Sequence, residues 1–219
     1  TAFEFFSEKA LGHVIEEHAL QRPFDKICEF YALIEFENAT SVDMDAAQSV
    51  FERIFQSGLV IDGTISQSSS DEKKLWRFRE DITSAISKYS PYKNDISVRI
   101  SQVPSFLSEL DELVRRIYPS FETIFFGHIG DGNIHMNILK PDGLTTKGFY
   151  KECEKVTEIV FGLVQKFGGS ISAEHGIGVL KKPYLQYSRS KEEITYMKGV
   201  KRMFDPNNIM NPGKLMDLE

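Results

Sequence analysis

Apolar side chains recur along the 219 residues in two rhythms, every three to four positions or every second one, the patterns of amphipathic helices and half-buried strands. Thr1, with Glu4 three residues on, caps a first predicted helix whose inward stripe is Phe3, Phe6, Ala10 and Val14 and which Pro23 stops. His18 falls near its C-terminal end, where the helix dipole favours a cation. From Ile27 to Glu37, Cys28, Phe30, Ala32, Ile34 and Phe36 alternate with Glu29, Glu35 and Glu37, predicting a strand with the first set inward. A helix from Asp43 or Asp45 to Gly58 and a strand from Leu59 to Ser66 follow. Ser69 or Ser70 caps a helix to about Tyr89, on which Trp76, Arg79, Thr83 and Ile86 share a face. The loop Pro91 to Asp95 then leads into a strand from Ile96 to Ser101.

Pro104 suits the first turn of a helix to Tyr118 that buries Phe106, Leu110, Leu113 and Ile117. Two apolar runs, Ile124 to Phe126 and Ile134 to Ile138, flank Asp131-Gly132 as a hairpin. After the turn-rich Lys140 to Gly143, a long helix from about Thr145 points Val156, Ile159, Val160 and Val164 inward and stops at Gly168-Gly169. Two helices close the chain, one from about Ile177 to Tyr187 and one from the Ser190 to Glu193 capping box to Asp205-Pro206. The order predicts an α+β fold, a largely antiparallel sheet with helices on one face and a helical C-terminal segment. Residues 1–189 form the expected main domain and 190–219 the C-terminal helix and tail.

Composition narrows the classes. With 41% hydrophobic and 26% charged residues the chain can bury one sizeable core or two small ones. A net charge of −6 and no evident Lys/Arg cluster argue against nucleic acid. Cys28 and Cys153 lie far apart, so neither a disulfide framework nor a cysteine metal site is expected, and a reducing compartment fits: cytoplasm, or mitochondrial matrix in a eukaryote. No apolar run approaches the ~18 residues of a membrane span. The start has acidic residues where a signal peptide would be apolar, and its opening on Thr1 rather than Met suggests a fragment or processed product.

The chemistry concentrates in Gly127 to Asn137, GHIGDGNIHMN. With Asp131 and Gly132 as the two loop residues, His128 falls opposite His135, their Cβ atoms roughly 4.5–5.5 Å apart on one face, and Asn137 continues that face. Two neutral imidazoles so placed can close on one divalent ion. Glu174, in Ser170 to Gly178 (SISAEHGIG), completes a His2Glu set with an open position, and zinc is favoured over manganese or iron. His175 is then a spare base. A single histidine or a single Asp-Gly would be bland; the combination points to a site. A zinc-dependent hydrolase could use the same three ligands to activate water, whereas a structural metal domain would close the site with a fourth.

GHIGDGNIHMN, SAEHGIG and the terminal NPGK together resemble the C-terminal half of the FAD-linked oxidases, of the D-2-hydroxyacid dehydrogenase type that includes D-2-hydroxyglutarate and D-lactate dehydrogenases, over nearly the whole chain. The resemblance implies two ferredoxin-like halves, which the element order also admits. It implies that Arg79, Thr83 and Lys93 bind substrate carboxylates, although the spacing to Lys93 is one residue short of the family pattern, and that Asn137 adds a donor. It implies that Asn211, Gly213 and Lys214 run back beside a flavin. A cofactor is required because no side chain accepts hydride, the chain has no GxGxxG or P-loop, and the resemblance implies FAD held mainly by an N-terminal domain. The expected partners are therefore a flavin-binding domain, in the same polypeptide or a separate subunit, and an electron acceptor; a homodimer is compatible with the reading. D-2-hydroxyglutarate is favoured over lactate, since its second carboxylate calls for the additional donors.

Overall fold

The structure, a computed structural model, describes residues 2–37 and 40–218. In chain order the elements are β1 (Ala2–Ser7), α1 (Glu8–His18), β2 (Phe30–Glu35), α2 (Ser41–Gln56), α3 (Ser69–Glu80), α4 (Ile82–Ala85), β3 (Tyr92–Ser97), α5 (Val103–Ile117), β4 (Thr123–His128), β5 (Asn133–Ile138), α6 (Thr146–Lys166), α7 (Gly178–Lys181) and α8 (Lys191–Phe204). All three paired strand ladders described below are antiparallel, and the fold is α+β. Contacts group the chain into two units, Thr1–Ser90 with Ile124–Gly130, and Pro91–Thr123 with Asp131–Glu219. This differs from a division at 189/190: the tail belongs to the second unit.

In the first unit β1 lies between β2 and β4. The cap expected of Thr1 lies outside the described residues, and the run expected to be helical opens instead as a strand. Phe5 and Phe6 are adjacent and both buried, which a strand between two neighbours allows, because it turns successive side chains to opposite faces. The helix begins only at Glu8, where Ser7 Oγ accepts the Ala10 N–H at 3.4 Å. It ends at Ala19, in the left-handed region, with His18 Nε2 3.6 Å from Asp81. β2 is shorter than expected and inverted: Phe30, Ala32 and Ile34 are exposed, while Tyr31 is buried. Tyr31 stacks on Phe6 at 5.7 Å, and its hydroxyl donates to Glu8 at 2.5 Å. A one-residue change of phase reverses every side chain of a strand, and these polar and aromatic partners of Tyr31 decide the phase.

Thr40 caps α2 with Asp43 in a capping box. The strand expected over residues 59–66 does not form; Leu59 and Ile61 are exposed there. The helix expected from Ser69 to Tyr89 is divided at Asp81 into α3, α4 and a 3-10 turn at Ser87–Tyr89. Asp81 holds Arg77 Nε at 2.9 Å.

In the second unit β3 pairs with β5 over six residues, from Tyr92↔Ile138 to Ser97↔Asn133. The strand therefore starts earlier than Ile96 and takes in Lys93, and Ile100–Gln102 forms a 3-10 turn before α5. α5 buries Phe106, Leu107, Leu110 and Val114, with Leu113 and Ile117 half-buried at the edge of the stripe. α6 buries Phe149, Cys153, Val156, Val160 and Val164, but not Ile159. Tyr118 donates to the Cys153 carbonyl at 3.2 Å, and burial pushes the Cys153 thiol up to about 12.

The turn between β4 and β5 takes residues 129–132, wider than Asp131-Gly132 alone. Asp131 Oδ1 accepts the Asn133 N–H at 3.1 Å. Gly132 has φ of 78°, and a Cβ there would lie 2.0 Å from the Val98 carbonyl oxygen. Gly169 is constrained in the same way, since its Cβ would lie 2.3 Å from the Ser97 oxygen. Close approach of backbone to the end of β3 therefore requires glycine on both sides.

Candidate functional site

Alternation on the β3–β5 ladder builds the site in the second unit. Lys93, Asp95 and Ser97 share one face of β3, and their cross-strand partners Asn137, His135 and Asn133 share the same face of β5. Asp95, His135 and Asn137 are buried, whereas Lys93 is exposed. The segment carrying Glu174 and His175 reaches this face by a bridge, Ser97 N–H to Ser170 O at 2.9 Å and Ser170 N–H to Ser97 O at 2.8 Å. Ile171 is fully buried and donates its N–H to Ser188 Oγ at 2.8 Å. Beyond it the chain is a loop, and it turns around one carboxylate. Asp95 Oδ2 accepts the backbone N–H groups of Ala173, Glu174 and His175 at 3.1, 3.1 and 2.9 Å. Lys181 Nζ ties the Asp95 and Ile171 carbonyls at 3.0 and 2.7 Å.

Two imidazoles stand side by side there, His135 and His175, with ring centroids 6.0 Å apart and planes 22° from parallel. Glu174 Oε1 is 3.7 Å from His135 Nε2 and 3.4 Å from His175 Nε2. The opposite edges face Asp95: His135 Nδ1 is 3.8 Å from Oδ1 and His175 Nδ1 is 3.6 Å from Oδ2. Burial acts to raise the Asp95 carboxyl, but the N–H donors of His175 and Glu174, with the charges of His175 and Lys181, outweigh it and hold the group below the usual carboxylate range. Burial pushes the Lys181 ammonium below its ordinary value, against the pull of Asp95.

The donors suit a divalent cation. A nitrogen and a carboxylate oxygen 3.7 Å apart can be bridged by an ion whose bonds are each about 2.0–2.2 Å. Asp95 Oδ1, buried and with no hydrogen bond of its own, faces the far nitrogen of His135. That is where a metal-binding histidine meets its supporting carboxylate.

In the first unit His128 ends β4 and pairs with Glu4 on β1. Its Nδ1 is 2.8 Å from Glu4 Oε1, so Nε2 is the ring nitrogen that could serve a metal. Glu4 Oε2 lies 2.9 Å from Arg79 Nε, and the Arg79 guanidinium sits 5.0 Å above the Phe126 ring. Arg79 is thus a buried side chain on Glu4, a partner the sequence reading did not anticipate. Thr83, beyond the break at Asp81, is exposed on α4.

Glu4 and Asp95 were missed as site residues. Glu4 sits inside a segment read as helix, and Asp95 in one read as loop. Period-two alternation through Glu4 and from Lys93 to Ser97 was the available signal. The tail is organised by Asp205, whose carboxylate oxygens accept the N–H groups of Ile209 and Met210, both at 2.9 Å. Asn211 has φ of 47° and Gly213 of 68°. Asn211 and Lys214 help to line an open hollow of about 480 Å³ with Lys201, Met210, Leu215 and Met216.

Residues 1–215 match the family described as FAD linked oxidases, C-terminal domain. The chain belongs to that family. It is 53% identical over 215 residues to a D-2-hydroxyglutarate dehydrogenase of Stutzerimonas stutzeri, covering 98% of this chain and 46% of the relative. It is 49% identical over 216 residues to a D-2-hydroxyglutarate dehydrogenase of Xanthomonas citri, covering 99% and 46%. This FAD-linked oxidase domain therefore spans about half the length of the curated relatives it matches. A 4-ethylphenol oxidase from Gulosibacter chungangensis, solved with isoeugenol, shares the fold at a TM-score of 0.61 and 12% identity, over 98% of this chain and 47% of that one. No helix among the described residues is long and apolar enough to cross a membrane.

Proposed function

We propose that this chain is the substrate- and metal-binding part of a flavin-dependent D-2-hydroxyacid dehydrogenase, with D-2-hydroxyglutarate favoured as substrate and D-lactate next. The observation that carries the proposal is Glu174 Oε1 at 3.7 Å from His135 Nε2 and 3.4 Å from His175 Nε2, beside the face that bears Lys93 and Asn137. Family membership and the two bacterial relatives support the reaction class.

In this reading His128, His135 and Glu174 hold one divalent cation, zinc in preference to manganese or iron. The ion supplies a Lewis acid that lowers the pKa of a bound hydroxyl, as it lowers that of bound water from 15.7 to about 7. Glu4 orients His128 by accepting from Nδ1. His175 Nε2 takes the proton of the substrate α-hydroxyl, a task for which imidazole is the side chain most often used. Lys93 and Asn137, with Arg79 and Thr83, supply cations and donors for the carboxylates. FAD would supply the hydride acceptor, held by a flavin-binding domain of the same polypeptide or of a partner subunit, with Asn211, Gly213 and Lys214 as this chain's residues beside it.

The test is zinc content and D-2-hydroxyacid binding in the purified chain. Stoichiometric zinc, lost in His135→Ala and in Glu174→Ala while both variants stay folded by circular dichroism, is the expected result. Zinc uptake unchanged in both variants would sink the metal assignment, and equal indifference to D-2-hydroxyglutarate and D-lactate would sink the substrate class.

A further inference from the structure

Asp95 is a strongly enclosed ionisable group at the site: its side chain is only 2% exposed, and the turn that carries Glu174 and His175 is hydrogen-bonded to it. Three consecutive backbone N–H groups, from Ala173 to His175, end on its Oδ2. That oxygen is fully engaged, and only Oδ1 is left without a hydrogen bond. What remains is directional. Its carboxylate faces Nδ1 of His135 and Nδ1 of His175, whereas Glu174 faces Nε2 of both rings.

A neutral imidazole carries one proton on one of two nitrogens, and a carboxylate favours it on the nitrogen it faces. Asp95 and Glu174 face opposite nitrogens at similar distances, but the Asp95 side chain is 2% exposed and that of Glu174 48%, so solvent and salt screen Glu174 and Asp95 decides. A lone pair placed 3.6–3.8 Å from the Asp95 oxygens would meet negative charge, while an N–H there meets an acceptor. These separations are too long for direct hydrogen bonds, so the preference is electrostatic, and it is strongest at His135, whose side chain is 11% exposed against 58% for His175. Asp95 Oδ1 has no hydrogen bond of its own, and the N–H of His135 is the donor facing it.

We infer that Asp95 is a positioning residue that selects the Nδ1–H tautomer of both His135 and His175, so that both Nε2 lone pairs point to the Glu174 side. One carboxylate thereby prepares two rings for two tasks, a metal ligand and a proton acceptor. A purely structural strut would hold the 173–175 turn and leave the tautomers to chance. The inference rests on the proposed function for its purpose, but it is tested on the metal-free chain.

The experiment is long-range proton–nitrogen correlation NMR on the ¹⁵N-labelled chain, above a pH of about 8 where imidazoles of ordinary pKa are neutral, with signals assigned through His135→Gln and His175→Gln. Expected for the unsubstituted chain is a protonated Nδ1 and a bare Nε2 on both rings. In Asp95→Asn the amide oxygen can still accept from the turn while its NH2 confronts His135, so His135 moves to the Nε2–H form and zinc affinity falls roughly 10- to 100-fold. An Nε2–H tautomer on either ring of the unsubstituted chain overturns the inference, as does a folded Asp95→Asn chain with both tautomers unchanged. The first readout needs no variant, so a misfolded substitution cannot shield the idea. Failure of zinc to bind the unsubstituted chain, with the tautomers as expected, would instead count against the metal-binding function alone.

Discussion

Replacing Glu4 by alanine probes how the unit that carries His128 is held together. Glu4 is 6% exposed and Arg79 8%, and the two carboxylate oxygens are divided between His128 Nδ1 at 2.8 Å and Arg79 Nε at 2.9 Å. Cutting one side of a buried ion pair costs about 3–5 kcal/mol, because the remaining charge stays desolvated. Arg79 keeps its place over the Phe126 ring, so the lower end, about 3 kcal/mol, is the expected loss. With a urea m-value of about 3 kcal/mol per molar, the unfolding midpoint should fall by roughly 1 M. The single tryptophan, Trp76, lies on α3 in the same unit and reports it by fluorescence. Glu4→Gln should cost less, since an amide oxygen still accepts from His128. The double variant Glu4→Leu with Arg79→Met should be more stable than Glu4→Ala alone, because no charge is then buried. A Glu4→Ala midpoint within about 0.5 kcal/mol of the parent, the usual range for a surface site, would refute the account, as would a double variant that costs the sum of the single ones.

Three other outcomes follow from the same geometry. Gly132→Ala combines a left-handed backbone with a Cβ 2.0 Å from the Val98 oxygen, so it should cost more than the roughly 1–3 kcal/mol of such a backbone alone; a melting temperature equal to the parent's would show that the turn can move aside. Because the N–H donors outweigh burial, the folded Asp95 carboxyl titrates below its unfolded value of about 3.9, and its stabilisation is complete above that pH and lost as pH falls through the folded pKa. The stability gap between the parent and Asp95→Asn should therefore be full near neutrality and close below a pH of about 4, and denaturant melts showing a constant gap down to acid pH would contradict this. Lys93 is exposed, so Lys93→Ala should leave stability within about 0.5 kcal/mol yet weaken D-2-hydroxyglutarate binding about tenfold, the loss of one charge-assisted hydrogen bond; calorimetry giving an unchanged Kd would remove Lys93 from the carboxylate site.

Local chemistry made much of this protein legible. The Ser190 and Glu193 capping box, the long apolar stripe of α6 and the α+β class follow from short-range pattern. The misreadings share one cause. Phe3 and Phe6 satisfy helical spacing as well as they fit a strand, and only the flanking strands β2 and β4 settle the choice. The phase of β2 turns on what Tyr31 meets across the fold, on Phe6 and Glu8, which no alternation along residues 27–37 can reveal.

The sequence by itself determined which residues can do chemistry: imidazoles, carboxylates and glycines at spacings that permit close approach. Tertiary structure alone decided which carboxylate supports which ring. Glu4 meets His128 across 124 positions, and Asp95 receives the Ala173, Glu174 and His175 amides from as far as 80 positions away. Hydrogen bonds and burial act through space, so a buried acid's role is set by the strands and turns folded against it and leaves no mark at its own position in the chain.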